Sequence, residues 1–353
     1  MRDAGAARFE DPGTEARLGF LMSRAAHGAD PAAAQLIETH MSWVIVAGER
    51  VLKMKKAVRY PFLDFSTPQL RERNCREELR LNRRLAPEVY LGLLALQWDE
   101  GRFALLPEER LPAPGTTIDW LVLMRRLPAE RMLDRVIAAG ALHADDIDAV
   151  IGLLARFYRD AARTTLGPDA YLARFRREQA INRALLLQPR FAGLDAGPAL
   201  DRLDAAIEAR ADVLRGRVAG GHVVDGHGDL RPEHVCMNDP PVVIDCLEFS
   251  AELRQVDPFD ELAYLGLECA VAGASWVAQR LVDGVATALG ERPPDALIHL
   301  YTANRAALRA RLAVAHLLDP QPRAPDRWLP LGERYLGQAA SALNALDRAG
   351  DAP

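Results

Sequence analysis

The order of residue patterns along this chain of 353 residues predicts an α+β fold in two lobes, a small, mainly β N-terminal lobe and a larger helical one. Up to about residue 126, short runs of β-forming residues alternate with turns around one highly charged helix. After Pro128 the apolar residues recur with helical spacing almost to the end. The helical half is interrupted once, by a stretch from Val223 to Asp245 dense in Gly, His, Asp and Pro. The chain is therefore divided into residues 1–126, with a helical extension ahead of the strands, and residues 127–353.

Composition narrows the function. Hydrophobic residues make up 49%, enough for a real core, and the net charge of -5 supplies no basic field for nucleic acid. Basic and acidic side chains are interspersed in helical patterns, as on solvated faces. No apolar run is long enough to span a membrane and the first residues lack an apolar leader core, so a soluble cytoplasmic protein is expected. Cys75, Cys236, Cys246 and Cys269 form no C-x-x-C pair and read as reduced, mostly buried thiols.

In order along the chain, residues 17–26 and 31–36 read as short helical pieces, and residues 35–39, 43–47 and 50–55 as strands. His40-Met41-Ser42 and Gly48-Glu49 form the turns. Alternation in the third strand puts Val51, Lys53 and Lys55 on one face and Leu52 and Met54 on the other. Two lysines there suit either a phosphate-facing cleft or an edge strand protected by charge. Ser66 opens an S-x-x-Q capping box with Pro68 in the first turn of a helix reaching to about Leu85. On that helix Glu77 and Glu78 are the candidates to meet a strand lysine. Strands follow at 91–98, 102–106 and 117–124. Helices are expected at 129–139, 144–164, 169–187 and 199–218, then at 261–270, 274–289, 295–318 and 327–346. The ends, 1–15 and 346–353, are expected to fray.

The stretch from Val223 to Asp245 carries the chemistry. His227, Asp229, His234 and Asp245 are spaced to converge if Val223-Val224 and Val242-Val243-Ile244 pair as a hairpin. Buried carboxylates need a metal or a cation beside them, so a metal site, a proton-transfer site or both is implied. The plain alternative is an Asp-Gly turn with solvated charges.

His227-Gly228-Asp229-Leu230-Arg231-Pro232-Glu233-His234 resembles the H-G-D-x-x-x-x-N loop of aminoglycoside phosphotransferase-like kinases, relatives of the protein kinases. Ile244-Asp245 resembles their strand-end metal aspartate, and Asp257-Pro258-Phe259-Asp260 the D-P-x-x-D that follows. Upstream, Leu52-Lys53 matches the strand lysine, Glu78 the helix glutamate and residues 124–127 the hinge. The phrases Phe62-Leu63-Asp64-Phe65-Ser66 and Val256-Asp257-Pro258-Phe259-Asp260-Glu261 look closer still to an uncharacterised bacterial branch, whose members are sometimes fused to a P-loop ATPase-type kinase.

The resemblance implies a bilobal protein-kinase-like fold and an ATP-dependent phosphotransferase moving the γ-phosphate to a hydroxyl of a small molecule. Asp229 would accept or orient the hydroxyl proton, Asp245 would hold Mg²⁺, and Lys53 would pair with the phosphates, positioned by Glu78. Main-chain groups at the hinge, Met124 and Arg125 among them, would hold adenine, and Ser42 in the first turn would face the phosphates. His227 would brace the loop and Asp260 would hydrogen-bond it. His234 stands where the family has an Asn metal ligand, which favours Mn²⁺ over Mg²⁺ or gives the histidine another task. A functional link to a P-loop kinase also follows from the resemblance. The alternatives are a degenerate kinase fold that only binds nucleotide, and a metal-dependent hydrolase built on His227, Asp229, His234 and Asp245. Arg305, Arg309 and Arg311 either decorate a helix or bind an anionic acceptor.

Overall fold

The computed structural model describes residues 11–27, 34–60 and 63–350. Helices α1 (Gly13–Leu21) and α2 (Arg24–His27) lead into strands β1 (Gln35–Glu38), β2 (Ser42–Ala47) and β3 (Arg50–Lys55). The short β4 (Arg59–Tyr60) and β5 (Leu63–Asp64) precede helix α3 (Pro68–Asn82), and β6 (Tyr90–Asp99), β7 (Arg102–Pro107) and β8 (Thr116–Arg125) follow it. Six of these strands form an antiparallel sheet in the order β1-β2-β3-β8-β6-β7. The helix expected over 31–36 is not seen where the residues are described: Gln35 and Leu36 already pair with Val46 and Ile45. Residues 31–33 and Pro61-Phe62 lie outside the described residues, as do 1–10 and 351–353 of the ends expected to fray. Residues 13–15 open α1 instead.

Strand β3 shows why the sheet has two unlike faces. Leu52 and Met54 join Leu21 of α1, Ile45, Leu94, Leu96, Ile118 and Leu121 in one buried cluster. Each such side chain contributes about 1.5–3 kcal/mol when removed from water. Lys53 and Lys55, on the opposite face by alternation, meet Glu78 of α3. Helix α3 starts one residue later than the capping-box reading: Thr67 Oγ1 accepts from the Leu70 amide at 3.2 Å, with Pro68 in the first turn. Ser66 donates instead to the Asp64 carboxylate. The buried stripe of α3, Arg71, Cys75, Glu78, Leu79 and Asn82, has helical spacing but two charges in it. Arg71 is held by Asp119 of β8 at 2.7 and 3.0 Å, and Arg17 of α1 reaches the same carboxylate at 2.8 Å. That clamp fixes α3 on the sheet two turns before Glu78.

The rest of the chain is helical: α4 (Leu133–Ala138), α5 (Ala144–Asp160), α6 (Pro168–Leu186), α7 (Gly197–Ala209) and α8 (Ala211–Ala219) come first. Three two-residue strands follow, β9 (Val224–Asp225), β10 (Val235–Cys236) and β11 (Val242–Val243), then α9 (Ala251–Arg254) and β12 (Gln255–Val256). Helices α10 (Pro258–Val271), α11 (Trp276–Leu289), α12 (Asp295–Ala315) and α13 (Pro325–Gly350) close the described chain, so residues 346–350 are helical too. The helix expected over 199–218 is broken at Arg210. Helix α10 is buried along every residue from Pro258 to Cys269. Its N-cap is Asp257, which accepts from the Phe259 amide at 3.0 Å.

The hairpin expected between Val223-Val224 and Val242-Val243 does not form. Val242 and Val243 pair with Cys236 and Val235, while Val224 and Asp225 pair with Val256 and Gln255. Residues 242–243 close a short local hairpin within 235–243, and β9 pairs instead with the strand just before α10. None of the four cysteines forms a disulfide, and all are buried. No helix among the described residues is long and apolar enough to cross a membrane.

The chain divides into two compact units. One runs to Pro128 and includes Glu248–Ser250; the other comprises Ala129–Leu247 and Ala251–Pro353. Residues 125 and 126 remain with the sheet because their amides bond the carbonyls of Val89 and Glu49. For the clamp on α3, replacing Asp119 by Ala leaves Arg71 buried with only backbone acceptors, and the expected loss is about 3–5 kcal/mol of stability in urea unfolding. A change below about 1 kcal/mol, the scale of a surface pair, would contradict that role.

Candidate functional site

The loop from Gly226 to His234 is held from beneath by a carboxylate. Glu261, on the buried face of α10, accepts from the amides of His227 (3.1 Å) and Gly228 and from the Tyr158 hydroxyl at 3.0 Å. Burial pushes the Glu261 carboxyl up, and these donors act against that push. Two glycines make the approach feasible. A Cβ at Gly226 would come within 2.7 Å of Glu261 Oε2, and Gly228 has φ +90 with Leu247 Cβ only 3.0 Å from where its own Cβ would sit.

His227 is fully buried with both ring nitrogens engaged. Nε2 lies 2.9 Å from the Ile244 carbonyl, so it carries the proton, and Nδ1 accepts from the Asp229 amide at 3.3 Å. Burial lowers its pKa to about 4, which keeps the ring neutral. It joins the loop to the segment before Asp245 and has no nitrogen left for a metal, which removes the four-ligand hydrolase arrangement.

Asp229, His234 and Asp245 do converge. His234 Nδ1 lies 2.7 Å from the Asp229 carbonyl oxygen and therefore donates to it. The Nε2 lone pair is thereby the one that lies 3.7 Å from Asp245 Oδ2. Arg231 donates to Asp229 Oδ2 at 2.9 Å and sits 3.4 Å from His234 Nε2. Tyr264 donates to Asp229 Oδ1 at 3.4 Å. Burial alone would push the Asp229 carboxyl up; His234 and the Arg231 guanidinium outweigh it and hold it below the usual carboxylate range. Asp245 adopts φ +60, a left-handed conformation costly for a residue with a side chain, and its carboxylate is about half exposed.

In the N-terminal unit, Glu78 is shared by two lysines. Lys53 Nζ is 2.8 Å from Oε1 and Lys55 Nζ is 2.7 Å from Oε2. Lys55 also pairs with Glu248. Burial would lower the Lys55 pKa, but Glu248 and Glu78 outweigh it and hold the ammonium above its usual value. Glu77, the other candidate, pairs with Arg80 on the exposed face of α3.

One assigned contact differs. Asp260 does not bond the loop: it takes both ends of the Arg305 guanidinium, at 2.8 and 2.7 Å. Consecutive residues on a helix point about 100° apart, so Glu261 faces the loop while Asp260 faces α12. The Ser42 amide bonds Thr39 Oγ1 at 2.9 Å. Met124 and Arg125 are strand residues of β8, opposite Val51 and Arg50, and the Arg125 amide is taken by Val89. Arg305, Arg309 and Arg311 neither decorate a face nor sit free. They pair with Asp260, with Glu268 and Tyr335, and with Glu178.

Glu261, Arg231 and Glu248 were missed from sequence. For Glu261 the glycine at 226 was the available signal, since a residue without Cβ beside His227 marks a close approach.

No family model matches the chain. It is 31% identical over 318 residues to uncharacterised proteins of Mycobacterium tuberculosis and Mycobacterium bovis, an overlap of 87% of this chain and 60% of theirs. The chain thus spans about three fifths of the length of those relatives. A choline kinase of Cryptosporidium parvum superposes with a TM-score of 0.55 at 10% identity, over 96% of this chain and 97% of that one. An aminoglycoside 2'-phosphotransferase solved with GDP superposes at 0.49 and 13% identity, over 95% and 99%. With an antiparallel β unit, a helical unit and the choline kinase match, the chain has a protein-kinase-like fold.

Proposed function

We propose that the protein is an ATP-dependent phosphotransferase acting on a hydroxyl of a small molecule. The observation that carries the reading is Asp229: a carboxylate kept ionised, only 28% exposed, and oriented by Arg231 on a loop fixed from below by Glu261. An ionised, oriented carboxylate is what an attacking hydroxyl needs to shed its proton as the new bond forms. The choline kinase that shares the fold is by its name a phosphotransferase, which supports the class and leaves the acceptor open.

The remaining parts follow from pairing. Lys53 is the lysine for the phosphates, because its side chain is 15% exposed while that of Lys55, at 1%, is enclosed by two carboxylates. Glu78 orients it. Among the described residues the Leu127 amide carries no hydrogen bond, so it replaces Met124 and Arg125 as the hinge donor for adenine. Asp245 Oδ2 and, once it gives up its 3.4 Å contact with Arg231, His234 Nε2 would hold a divalent cation: the histidine tautomer is fixed by the bond at Nδ1 and the two atoms face each other at 3.7 Å. No cluster of three or more His, Cys, Asp or Glu side chains suited to a metal occurs among the described residues. Phosphate oxygens and water would therefore supply the other ligands, as is usual for a nucleotide-bound cation. Such a cation neutralises phosphate charge. A mixed nitrogen and oxygen donor set favours Mn²⁺ over Mg²⁺. A functional link to a P-loop kinase belongs to the same reading and rests on the family resemblance alone.

Two experiments test this. In an ADP-release assay over a panel of hydroxyl-bearing metabolites, Asp229→Asn lowers kcat by about 10²–10⁴-fold, the usual worth of a positioned acid–base group, while ADP still binds. Retained turnover in that variant contradicts the role. Separately, His234→Asn lowers the ratio of activity in Mn²⁺ to activity in Mg²⁺; an unchanged ratio removes His234 from the metal site.

A further inference from the structure

Asp260 closes the D-P-x-x-D motif, yet it bonds Arg305 rather than the loop, and phosphoryl transfer as described gives it no task. Its place on α10 supplies one. Asp260, Tyr264 and Glu268 stand four residues apart and so share one face of that helix. Arg305 and Arg309 have the same spacing on α12 and meet that face. Arg305 takes both oxygens of Asp260, and Arg309 bonds Glu268 at 2.9 and 3.2 Å.

Tyr264 lies between those two ion pairs along α10. The Arg305 guanidinium carbon stands 4.9 Å from the centre of its ring, in cation–π contact, and the residue is only 2% exposed. Burial, with the Asp229 charge beside it, pushes the phenol pKa up, so the hydroxyl keeps its proton and acts as a donor. It donates to Asp229 Oδ1 at 3.4 Å, while Arg231 donates to Oδ2 at 2.9 Å. Arg231 is itself shared with Glu233 and His234. One donor fixes one oxygen and leaves the carboxylate free to pivot about that bond. A second donor on the other oxygen fixes its plane, which a lone pair aimed at a hydroxyl proton requires.

We infer that Tyr264 is a positioning residue for Asp229: its hydroxyl fixes the second carboxylate oxygen, and the Asp260–Arg305 pair holds the Tyr264 ring in place for that purpose. The inference rests on the proposed phosphotransferase site, and every residue in it belongs to the helical unit. It gives the motif aspartate a task that reaches the loop through Arg305 and Tyr264.

The test follows ADP release from ATP with pooled hydroxyl-bearing metabolites as acceptor. The proteins are wild type, Tyr264→Phe, Arg305→Lys, Asp229→Asn and the two double variants that include Asp229→Asn, each checked for folding by urea unfolding. Tyr264→Phe removes one hydroxyl and is expected to lower kcat about tenfold, the lower end for a hydrogen bond to a charged group. The half-saturating ATP concentration and pool dilution stay at their wild-type values. Arg305→Lys keeps a cation beside Asp260 but loses the planar face over the ring, and is expected to lower kcat about threefold in the same way. Neither change lowers kcat further in the Asp229→Asn background, because both act through that carboxylate. If Tyr264→Phe does not fold, Arg305→Lys carries the same comparison. A folded Tyr264→Phe protein with wild-type kcat, or with the same loss in the presence of Asp229→Asn, overturns the inference, and so does a loss confined to KM. A wild type that releases no ADP with the pool overturns the phosphotransferase reading beneath it.

Discussion

A single buried carboxylate, that of Glu261, organises the helical unit around its loop. Enclosing it carries a desolvation cost that two backbone amides and a tyrosine hydroxyl offset only if the loop approaches closely. Gly226 and Gly228 permit that approach, and the resulting turn places His227 where its ring spans two carbonyl-bearing segments. Asp229 then projects beside Arg231 and His234 without any strand hairpin to bring it there. Helix α10 makes this possible because each of its buried acids has a partner of its own: Asp260 has Arg305 and Glu268 has Arg309.

Much of the fold was legible in local pattern. Period-2 alternation in residues 50–55 correctly separated the lysine face from the core face, because one face of that strand is apolar and the other is charged. Strands β2, β3, β6, β7 and β8 were likewise visible as β-rich runs between turns. Long-range pairing was not legible. Val224 finds Val256 and Val243 finds Val235, and nothing in those short apolar runs specifies which partner each takes. Lys55 and Glu248 lie 193 residues apart, beyond any spacing rule.

The candidate site was legible as residue types more than as roles. The loop motif pointed to Asp229, His234 and Asp245, and these three are together. The D-P-x-x-D motif named Asp260, while the neighbouring Glu261 does the holding, a difference of one helical step that composition does not resolve. Likewise the hinge amides expected to meet a nucleotide are partly spent on sheet bonds, since β8 extends through Arg125. Charged residues in the helical half looked like surface decoration from sequence, yet Arg217, Arg305 and Arg309 are held in buried or half-buried pairs. Ion pairs of that kind set which helix faces meet, and they leave less free charge for substrate than the residue count suggests.

The most direct measurement of the central claim is the fate of an isotopically labelled γ-phosphate. The protein is incubated with ATP carrying ¹⁸O in the γ-phosphate and with pooled hydroxyl-bearing metabolites, and products are weighed by mass spectrometry. The account predicts one new species carrying the labelled phosphoryl group, formed in step with ADP and absent when Asp229 is Asn. Label appearing only in inorganic phosphate, or a product carrying AMP, would contradict it.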